Sequence, residues 1–469
     1  MVEIELKFQI SEARRTALLK ALDPKKSETI QLQAKYFDTP DRLLAQHGAA
    51  LRQRLEGISW IQTLKAAGKS HLHRFEHNHN LGELESSPEL DLSIYQAIPE
   101  AQQILTQALG SDAAALKLTF ETDIQRTYRV IQFEDAEIEV CLDVGVVRAS
   151  GREQTIHEVE FELKSGSVQS LLAFSFEWVK KYQLWLDVRS KAEMGNLLAL
   201  EQTVSPARFE KEFVLSKKES AAHNLSLLIG QQMQHLLPNI AAISAGVAEQ
   251  SHIDQAQTAL EHLQLTLALF KDWNSNISDK WAMQLAAFKH QFDHLQHLQH
   301  MQSTLGAFLQ NPTTTENLAK DILYAQEKLG NLVKSTQNVH HYLELLTFSL
   351  SSHDQVQKQD LKTYAHNTLQ NQYRQLQESL NAADISHFES LDVLAQKIKE
   401  LKFSFPILTS IYDVKNLQKY SKALNDAQQA AHEYQILATS AAYIQQTELE
   451  ASDWFVLGWL TAKLEVYAD

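Results

Sequence analysis

The stretch Glu158-Val-Glu-Phe-Glu-Leu-Lys164 places a charged side chain at every second position, with Val159, Phe161 and Leu163 between them. Successive side chains of a β-strand point to opposite faces, so this spacing predicts a strand with one charged and one apolar face. Glu3-Ile-Glu-Leu-Lys7 repeats the pattern near the start of the chain. Both stretches therefore predict strands of a sheet that buries its apolar face.

Similar short alternating runs follow through the first 205 residues, separated by turn formers. The predicted strands are 2–8, 34–38, 51–55, 58–65, 72–76, 124–132, 138–142 and 156–163. Helical spacing in the same part predicts helices at 11–22, 93–109, 168–182 and 191–201.

Two architectures fit these strands. In the first, an antiparallel sheet packs one face on a core and leaves the charged face in water. In the second, the sheet closes into a barrel with its charged faces inside and its apolar faces covered by helices. The second accounts better for a face made almost entirely of carboxylates and long cations, because aligned carboxylates repel one another. Such an interior suits a metal–polyphosphate, since carboxylates bind hard divalent cations and Arg and Lys bind phosphate oxygens.

Composition excludes several classes of protein. The chain has 469 residues and a formal net charge of −15, so it lacks the overall basic footprint of a nucleic-acid-binding protein. Its single cysteine, Cys141, excludes an internal disulfide and a cysteine-cluster zinc site. No run reaches the ~18 apolar residues of a membrane span, and the charged start is unlike a secretory signal. We expect a cytoplasmic protein with no nucleic-acid or membrane partner, and no pattern indicates an oligomeric state.

The chain changes character near Pro206, which predicts domains at 1–205 and 206–469. The first part holds 11 of the 13 arginines, and the two parts carry net charges of −7 and −8. From about residue 219 a 3.6-residue period predicts an all-α bundle. The predicted helices are 220–245, 253–273, 280–309, 315–351, 358–381, 388–404, 407–443 and 454–467. Pro238 and Pro406 are expected to kink or break helices. The predicted fold class is thus α+β, a barrel followed by a helical bundle.

The first part resembles the CYTH superfamily, the triphosphate tunnel metalloenzymes, in an ordered series of motifs. The resembling stretches are Glu3-Ile-Glu-Leu-Lys7, Tyr36-Phe-Asp-Thr-Pro-Asp41, Leu51-Arg-Gln-Arg54, Trp60-Ile-Gln-Thr-Leu-Lys65, Thr122-Asp-Ile-Gln-Arg126, Leu142-Asp-Val-Gly145, Glu158-Val-Glu-Phe-Glu-Leu-Lys-Ser-Gly166 and Ser190-Lys-Ala-Glu-Met-Gly195. The resemblance implies an eight-stranded antiparallel barrel that forms a tunnel. It also implies hydrolysis of a triphosphate with Mg²⁺ or Mn²⁺, two ions per site.

The same resemblance implies roles for individual residues. The implied metal ligands are Glu3, Glu5, Asp143, Glu158, Glu160 and Glu162. The implied phosphate-binding cations are Lys7, Arg52, Arg54, Lys65, Arg74, Arg126 and Lys191. Lys65 and Glu160 are the expected catalytic residues. Lys65 would assist the leaving group, and Lys191 is the alternative for that role. Met194 stands where the family often has an arginine.

Residues 206–469 resemble a CHAD domain that has lost much of its cationic pattern. The segment 391–403 keeps the apolar frame with Lys399 and Lys402, but Asp392 stands where the family has histidine. One interpretation is polyphosphate binding through Lys and partly protonated His; the other is a structural or regulatory bundle. Two arginines in this part and its net charge of −8 favour the second. His294, His297 and His300 share one helical face, which is either solvated or a metal site.

The combination of CYTH-like and CHAD-like parts suggests inorganic tripolyphosphate as the substrate. Two alternatives remain. One is action on an organic triphosphate, by hydrolysis of thiamine triphosphate or cyclisation of ATP. The other is a non-catalytic polyphosphate-binding module.

Overall fold

A computed structural model describes residues 2–68, 72–110, 112–271, 277–306, 308–351, 360–384, 388–412, 418–446 and 449–466. Its first part is a closed antiparallel β-barrel. The strands are β1 (Val2–Gln9), β2 (Glu28–Asp38), β3 (Ala49–Glu56), β4 (Ser59–Ala67), β5 (His73–Glu83), β6 (Lys117–Phe133), β7 (Ala136–Ala149) and β8 (Arg152–Ser165). Their order is β5-β4-β3-β2-β6-β7-β8-β1, and pairing of β1 with β5 closes the barrel. A short strand, β9 (Trp185–Leu186), adds to β1. The predicted barrel is therefore confirmed.

Helices cover the outside of the barrel. They are α1 (Glu12–Ala21), α2 (Leu43–Gln46), α3 (Pro99–Leu109) and α4 (Val168–Tyr182), whereas α5 (Lys191–Ala199) packs against one end of the interior. On one side Phe8 and Phe161 are fully buried, and the ring of Phe161 lies 5.2 Å from that of Phe174 in α4. On another side Leu51 and Leu64 pack with Tyr95 beneath α3. The apolar faces of the strands thus point outward, which leaves the charged faces inside.

The second part of the chain is helical. Its helices in the described residues are α6 (Ala221–Ser244), α7 (Gln250–Phe270), α8 (Asp279–Leu305), α9 (Pro312–Val333), α10 (Thr336–Leu350), α11 (Leu361–Ala382), α12 (Phe388–Thr409), α13 (Gln418–Gln445) and α14 (Ala451–Glu465). Within these described ranges, no helix combines the length and apolarity needed to cross a membrane.

Two differences from the predicted helices have clear local causes. The predicted helix 315–351 is divided into α9 and α10, because the Ser335 hydroxyl accepts the amide of Asn338 and starts a new helix. Pro406 does not end α12, which continues to Thr409. The proline costs a helix about 3 kcal/mol, but Ile407 and Leu408 are buried directly after it and stabilise the last turn.

The chain packs as two compact units. One comprises residues 1–209, 233–253 and 333–350; the other comprises 210–232, 254–332 and 351–469. In the first unit α10 packs on α4, where His340 Nε2 lies 3.0 Å from the carbonyl oxygen of Phe176. The boundary near residue 205 stays a prediction.

Candidate active site

The strand register brings the charged side chains together inside the barrel. Glu160 of β8 lies opposite Lys7 of β1, and Asp143 of β7 lies opposite Glu158 of β8. Cross-strand partners project from the same face of a sheet, so these residues share the interior. The alternation of charged and apolar residues along each strand therefore places the charged side chains together inside the barrel.

Three carboxylates form the most compact acidic group. Asp143, Glu158 and Glu160 each place one oxygen within 4.8 Å of the others. Asp143 and Glu158 are completely buried. Lys191, at the start of α5, lies 2.8 Å from both Asp143 and Glu160 and also contacts Glu158. Arg126 donates two hydrogen bonds of 2.7 Å to Asp143 and one of 2.5 Å to Glu160.

The three carboxyls differ in their affinity for protons. Burial raises the pKa of Glu158 to about 7, although Lys191 and Lys7 favour its charged form. At Glu160 burial acts in the same direction, but Lys191 and Arg126 outweigh it and hold the pKa well below its ordinary value. The pKa of Asp143 is lowered by the same balance. Near neutral pH, Glu158 is therefore partly protonated, while Asp143 and Glu160 remain charged.

A second set of ion pairs joins β1, β4 and β5. Lys65 Nζ lies 2.7 Å and 2.8 Å from the two carboxylate oxygens of Glu3 and 3.4 Å from Glu76. Arg74 lies 3.0 Å from Glu5. Burial raises the pKa of Glu3 to about 8. At Glu76 the effect of burial is outweighed, mainly by Lys65, and the pKa falls to about 2.

Glu76 is an interior residue that the sequence analysis missed. Besides Lys65, it faces Arg52 at 3.8 Å. The signal was present, because Arg74 and Glu76 flank the outward-facing Phe75 just as Glu3 and Glu5 flank Ile4.

The remaining predicted cations also face the interior. Arg52 donates to the hydroxyl of Tyr36 over 3.4 Å, and Arg54 donates to Glu56 over 2.6 Å. Burial and the neighbouring Arg52 lower the pKa of Arg54. Lys7 lies 3.9 Å from Glu158.

Not all predicted metal ligands meet at one point. Glu162 pairs with Lys164 at 2.9 Å, while Glu3 and Glu5 pair with Lys65 and Arg74 as described above. Among the described residues, only the group of Asp143, Glu158 and Glu160 has its ligand oxygens already within 4.8 Å of one another. The metal-binding role of the other three stays a prediction.

Helix α5 fills one end of the interior. The hydroxyl of Ser190 accepts the amide of Glu193 at 3.0 Å and fixes the start of the helix, which directs Lys191 toward the carboxylates. Met194, at the position where the resemblance would place an arginine, is 7% exposed. Its apolar neighbours on the inner strand faces are Leu32, Ala34, Tyr36, Phe120, Ile124, Val147, Ala149 and Ile156. Met194 thus closes this end by packing rather than by charge.

Gly195 allows α5 to approach this closely. A Cβ atom at Gly195 would lie 2.1 Å from the ring of Phe120, which itself stacks on Tyr36 at 4.4 Å. We expect Gly195→Ala to lower the free energy of unfolding by about 1–3 kcal/mol, as overpacked cores do. Urea unfolding measures this. The control is Gly330→Ala in α9, where a Cβ meets no atom within 4 Å. Equal effects of the two substitutions would contradict the close packing of α5.

The carboxylate group fits a hard divalent cation. Its donors are all carboxylate oxygens, the ligands that Mg²⁺ prefers and that also suit Mn²⁺. Glu158 Oε2 is buried and has no hydrogen-bond partner among the described residues. A buried acceptor without a donor is costly, and a bound cation would satisfy it.

Comparison with known proteins agrees with this geometry. Residues 1–196 match the CYTH domain model and residues 227–445 match the CHAD domain model. An inorganic triphosphatase from Haemophilus influenzae is 33% identical over 227 residues, which are 47% of this chain and 62% of that relative. The chain therefore matches less than two thirds of the relative's length.

Two solved structures are similar at lower identity. The CHAD domain from the plant Ricinus communis is 14% identical, with a TM-score of 0.47, over 56% of this chain and 93% of that chain. A Hippeastrum protein with a dominant triphosphatase activity is 17% identical, with a TM-score of 0.31, over 43% of this chain and 97% of that chain. From the two family matches, the chain combines a CYTH domain at residues 1–196 with a CHAD domain at residues 227–445.

Proposed function

We propose that the barrel is a divalent-metal-dependent triphosphatase that hydrolyses inorganic triphosphate to pyrophosphate and phosphate. The observation that carries the proposal is the buried group of Asp143, Glu158 and Glu160 facing Arg126 and Lys191. The CYTH match and the similarity to an inorganic triphosphatase support it.

Mg²⁺ or Mn²⁺ would be held by Asp143, Glu158 and Glu160, with Glu3, Glu5 and Glu162 as candidates for a second ion. When bound, such a metal neutralises phosphate charge and lowers the pKa of a bound water. Glu160, which stays charged at neutral pH, accepts a hydrogen bond from the attacking water. Its low pKa makes it an orienting acceptor rather than a strong base.

The interior cations hold the phosphate chain and stabilise the charge that develops on its oxygens. They are Lys7, Arg52, Arg54, Arg74, Arg126 and Lys191. Lys65 lies in the other set of ion pairs, against Glu3 and Glu76, and we assign it to the departing pyrophosphate. Burial opposes the charged form of Lys65, but its carboxylate neighbours outweigh that effect and raise its pKa, so it acts as a cation.

Binding would require the ion pairs to exchange partners. Arg126 and Lys191 both pair with Asp143 in the structure. Once phosphate oxygens engage these cations, the carboxylates need a new positive partner, because buried unpaired charges are strongly disfavoured. A divalent cation meets that need, so anion and metal should bind cooperatively.

The function is tested by comparing turnover of tripolyphosphate, ATP and thiamine triphosphate under identical conditions, with Mg²⁺, with Mn²⁺ and with excess chelator. We expect phosphate release from tripolyphosphate to be fastest and to be lost with chelator. Faster turnover of an organic triphosphate would replace the substrate assignment. Tight binding of tripolyphosphate without any product would replace catalysis by a binding function.

Metal affinity should depend on pH through Glu158. Its pKa of about 7 means that a proton competes with the metal below this value. The affinity of the site formed by Asp143, Glu158 and Glu160 for Mn²⁺ should therefore rise with pH, by up to about tenfold per unit below pH 7, and level off above it. Titration calorimetry with Mn²⁺ from pH 6 to 9 measures the slope. If Glu158→Gln leaves the dependence of Mn²⁺ affinity on pH unchanged, Glu158 is not its cause.

We further propose that the CHAD domain of this chain is a structural or regulatory bundle rather than a polyphosphate site. Its retained cation Lys399 already pairs with Glu261 at 2.7 Å. Lys402 is partly buried, and this burial lowers the pKa of its ammonium group. A polyanion site requires a cluster of cations that are available to it, and the pairing of Lys399 with Glu261 leaves fewer of them in this domain.

A further inference from the structure

Helices α8 and α13 bring three histidines together in the helical unit. His297 and His300 lie about one turn apart on α8, and His432 lies on α13. The rings of His300 and His432 are 5.5 Å apart between centroids and inclined at 71°. His297 is close enough to both for electrostatic interaction. His294, which the sequence places on the same face, also interacts electrostatically with His297, but its side chain is exposed.

The ring separation suits two ligands of one metal ion. With Zn–N bonds of about 2.0 Å and a tetrahedral angle, two imidazole centroids lie about 5 Å apart. In addition, His300 Nδ1 is buried and has no hydrogen-bond partner among the described residues. A buried nitrogen without a partner is costly, and a metal ion would satisfy it.

The protonation of these histidines is compatible with metal binding. Burial lowers the pKa of His297 and of His432, which favours the neutral imidazole with a free lone pair. Gln428 lies one turn before His432, and its buried Oε1 also lacks a partner among the described residues. Such an oxygen can accept the second ring N–H of a metal-binding histidine, as carbonyl groups do in known sites.

The charged neighbours leave the imidazoles as the available donors. Lys289 pairs with Asp293 at 2.8 Å, and Lys399 pairs with Glu261 at 2.7 Å. A site whose ligands are all imidazoles prefers a transition metal of intermediate softness, such as Zn²⁺, to Mg²⁺ or Ca²⁺. The three histidines are not among the described groups with ligand atoms within 4.8 Å of one another, so binding requires ring rotation.

We propose that His297, His300 and His432 bind one divalent transition-metal ion of the zinc class, with water completing the coordination. The bound ion links α8 to α13. The site is chemically distinct from the carboxylates of the barrel, and the proposal does not depend on the triphosphatase activity.

Co²⁺, whose visible absorption reports its coordination, is the probe. The full chain is freed of metals with chelator and titrated with Co²⁺ in excess Mg²⁺, which occupies oxygen-ligand sites. We expect one equivalent to bind with nitrogen-ligand absorption. His300→Gln and His432→Gln should each weaken the affinity at least tenfold, whereas His294→Gln, the matched control on α8, should leave it unchanged.

Several results would overturn the proposal. These are no Co²⁺ binding up to about 1 mM, unchanged affinity in both His300→Gln and His432→Gln, or equal loss in His294→Gln. Far-UV circular dichroism establishes that each variant is folded. If the variants do not fold, imidazole NMR signals of the unaltered chain decide, because Zn²⁺ must shift three histidines and leave His294 unmoved.

Discussion

Replacing Glu160 by glutamine is expected to slow phosphate release from tripolyphosphate by roughly 10³-fold. The substitution keeps the shape of the side chain but removes the charge that faces Arg126 at 2.5 Å and Lys191 at 2.8 Å. The proposed metal site loses one of its three gathered carboxylates, and the attacking water keeps only a neutral amide oxygen as its acceptor. Initial rates at saturating Mg²⁺ and at several tripolyphosphate concentrations separate the loss in kcat from any change in KM.

The matched control for this result is Glu153→Gln on the same strand. Glu153 is 51% exposed and pairs with Arg148. We expect its rate to stay within about threefold of the unaltered chain, since exposed ion pairs contribute little. A rate for Glu160→Gln in that same range would remove Glu160 from the catalytic site and the proposed chemistry with it.

Replacing Arg126 by methionine is expected to lower the free energy of unfolding by about 3 kcal/mol. Asp143 is completely buried and loses two hydrogen bonds of 2.7 Å, although Lys191 still contacts it. Methionine retains most of the apolar volume of the arginine, so the measured loss reports mainly the uncompensated charge. Guanidinium unfolding, followed by the tryptophan fluorescence of the chain, measures it.

Arg148→Met tests whether any arginine on these strands would have the same effect. Its side chain is 50% exposed and pairs with Asp123 and Glu153. Its removal should change the free energy of unfolding by less than about 1 kcal/mol. If both variants lose the same free energy of unfolding, burial does not determine how much the ion pair of Arg126 and Asp143 contributes to stability.

Much of the barrel could be predicted from alternation alone. All eight predicted strands exist, but several are longer than predicted. Strand β2 begins at Glu28 rather than at residue 34, although Ile30 and Leu32 continue the alternation of Ala34 and Tyr36 and could have extended the prediction. Only the first two residues lie beyond that pattern, because Glu28 and Thr29 belong to the strand through their backbone pairing with β6.

The site was predictable to a similar degree. Alternation placed the charged residues of β1, β3 and β8 on one face, and the family resemblance added Lys65, Arg74, Arg126, Asp143 and Lys191. Neither could say which cation meets which carboxylate, because that depends on the register between strands far apart in sequence. Lys65 pairs with Glu3 and Glu76 on two different strands. The grouping of His432 with His297 and His300 likewise depends on how α8 and α13 pack.

The helical errors have local causes. A continuous 3.6-residue period predicted one helix over 315–351, but Ser335 offered a capping hydroxyl within it. At Pro406 the opposite happened, since burial of the following residues outweighed a local helix breaker. Periodicity predicts which face is buried, whereas capping and packing decide where the helix ends.

The apolar packing around Met194 and Gly195 affects where charged molecules can enter and leave the barrel. Helix α5 packs apolar side chains against one end of the interior, which disfavours the passage of charged molecules there. Under the proposed reaction, substrate, metal and both products would therefore use the other end. A product that stays bound there would delay entry of the next substrate.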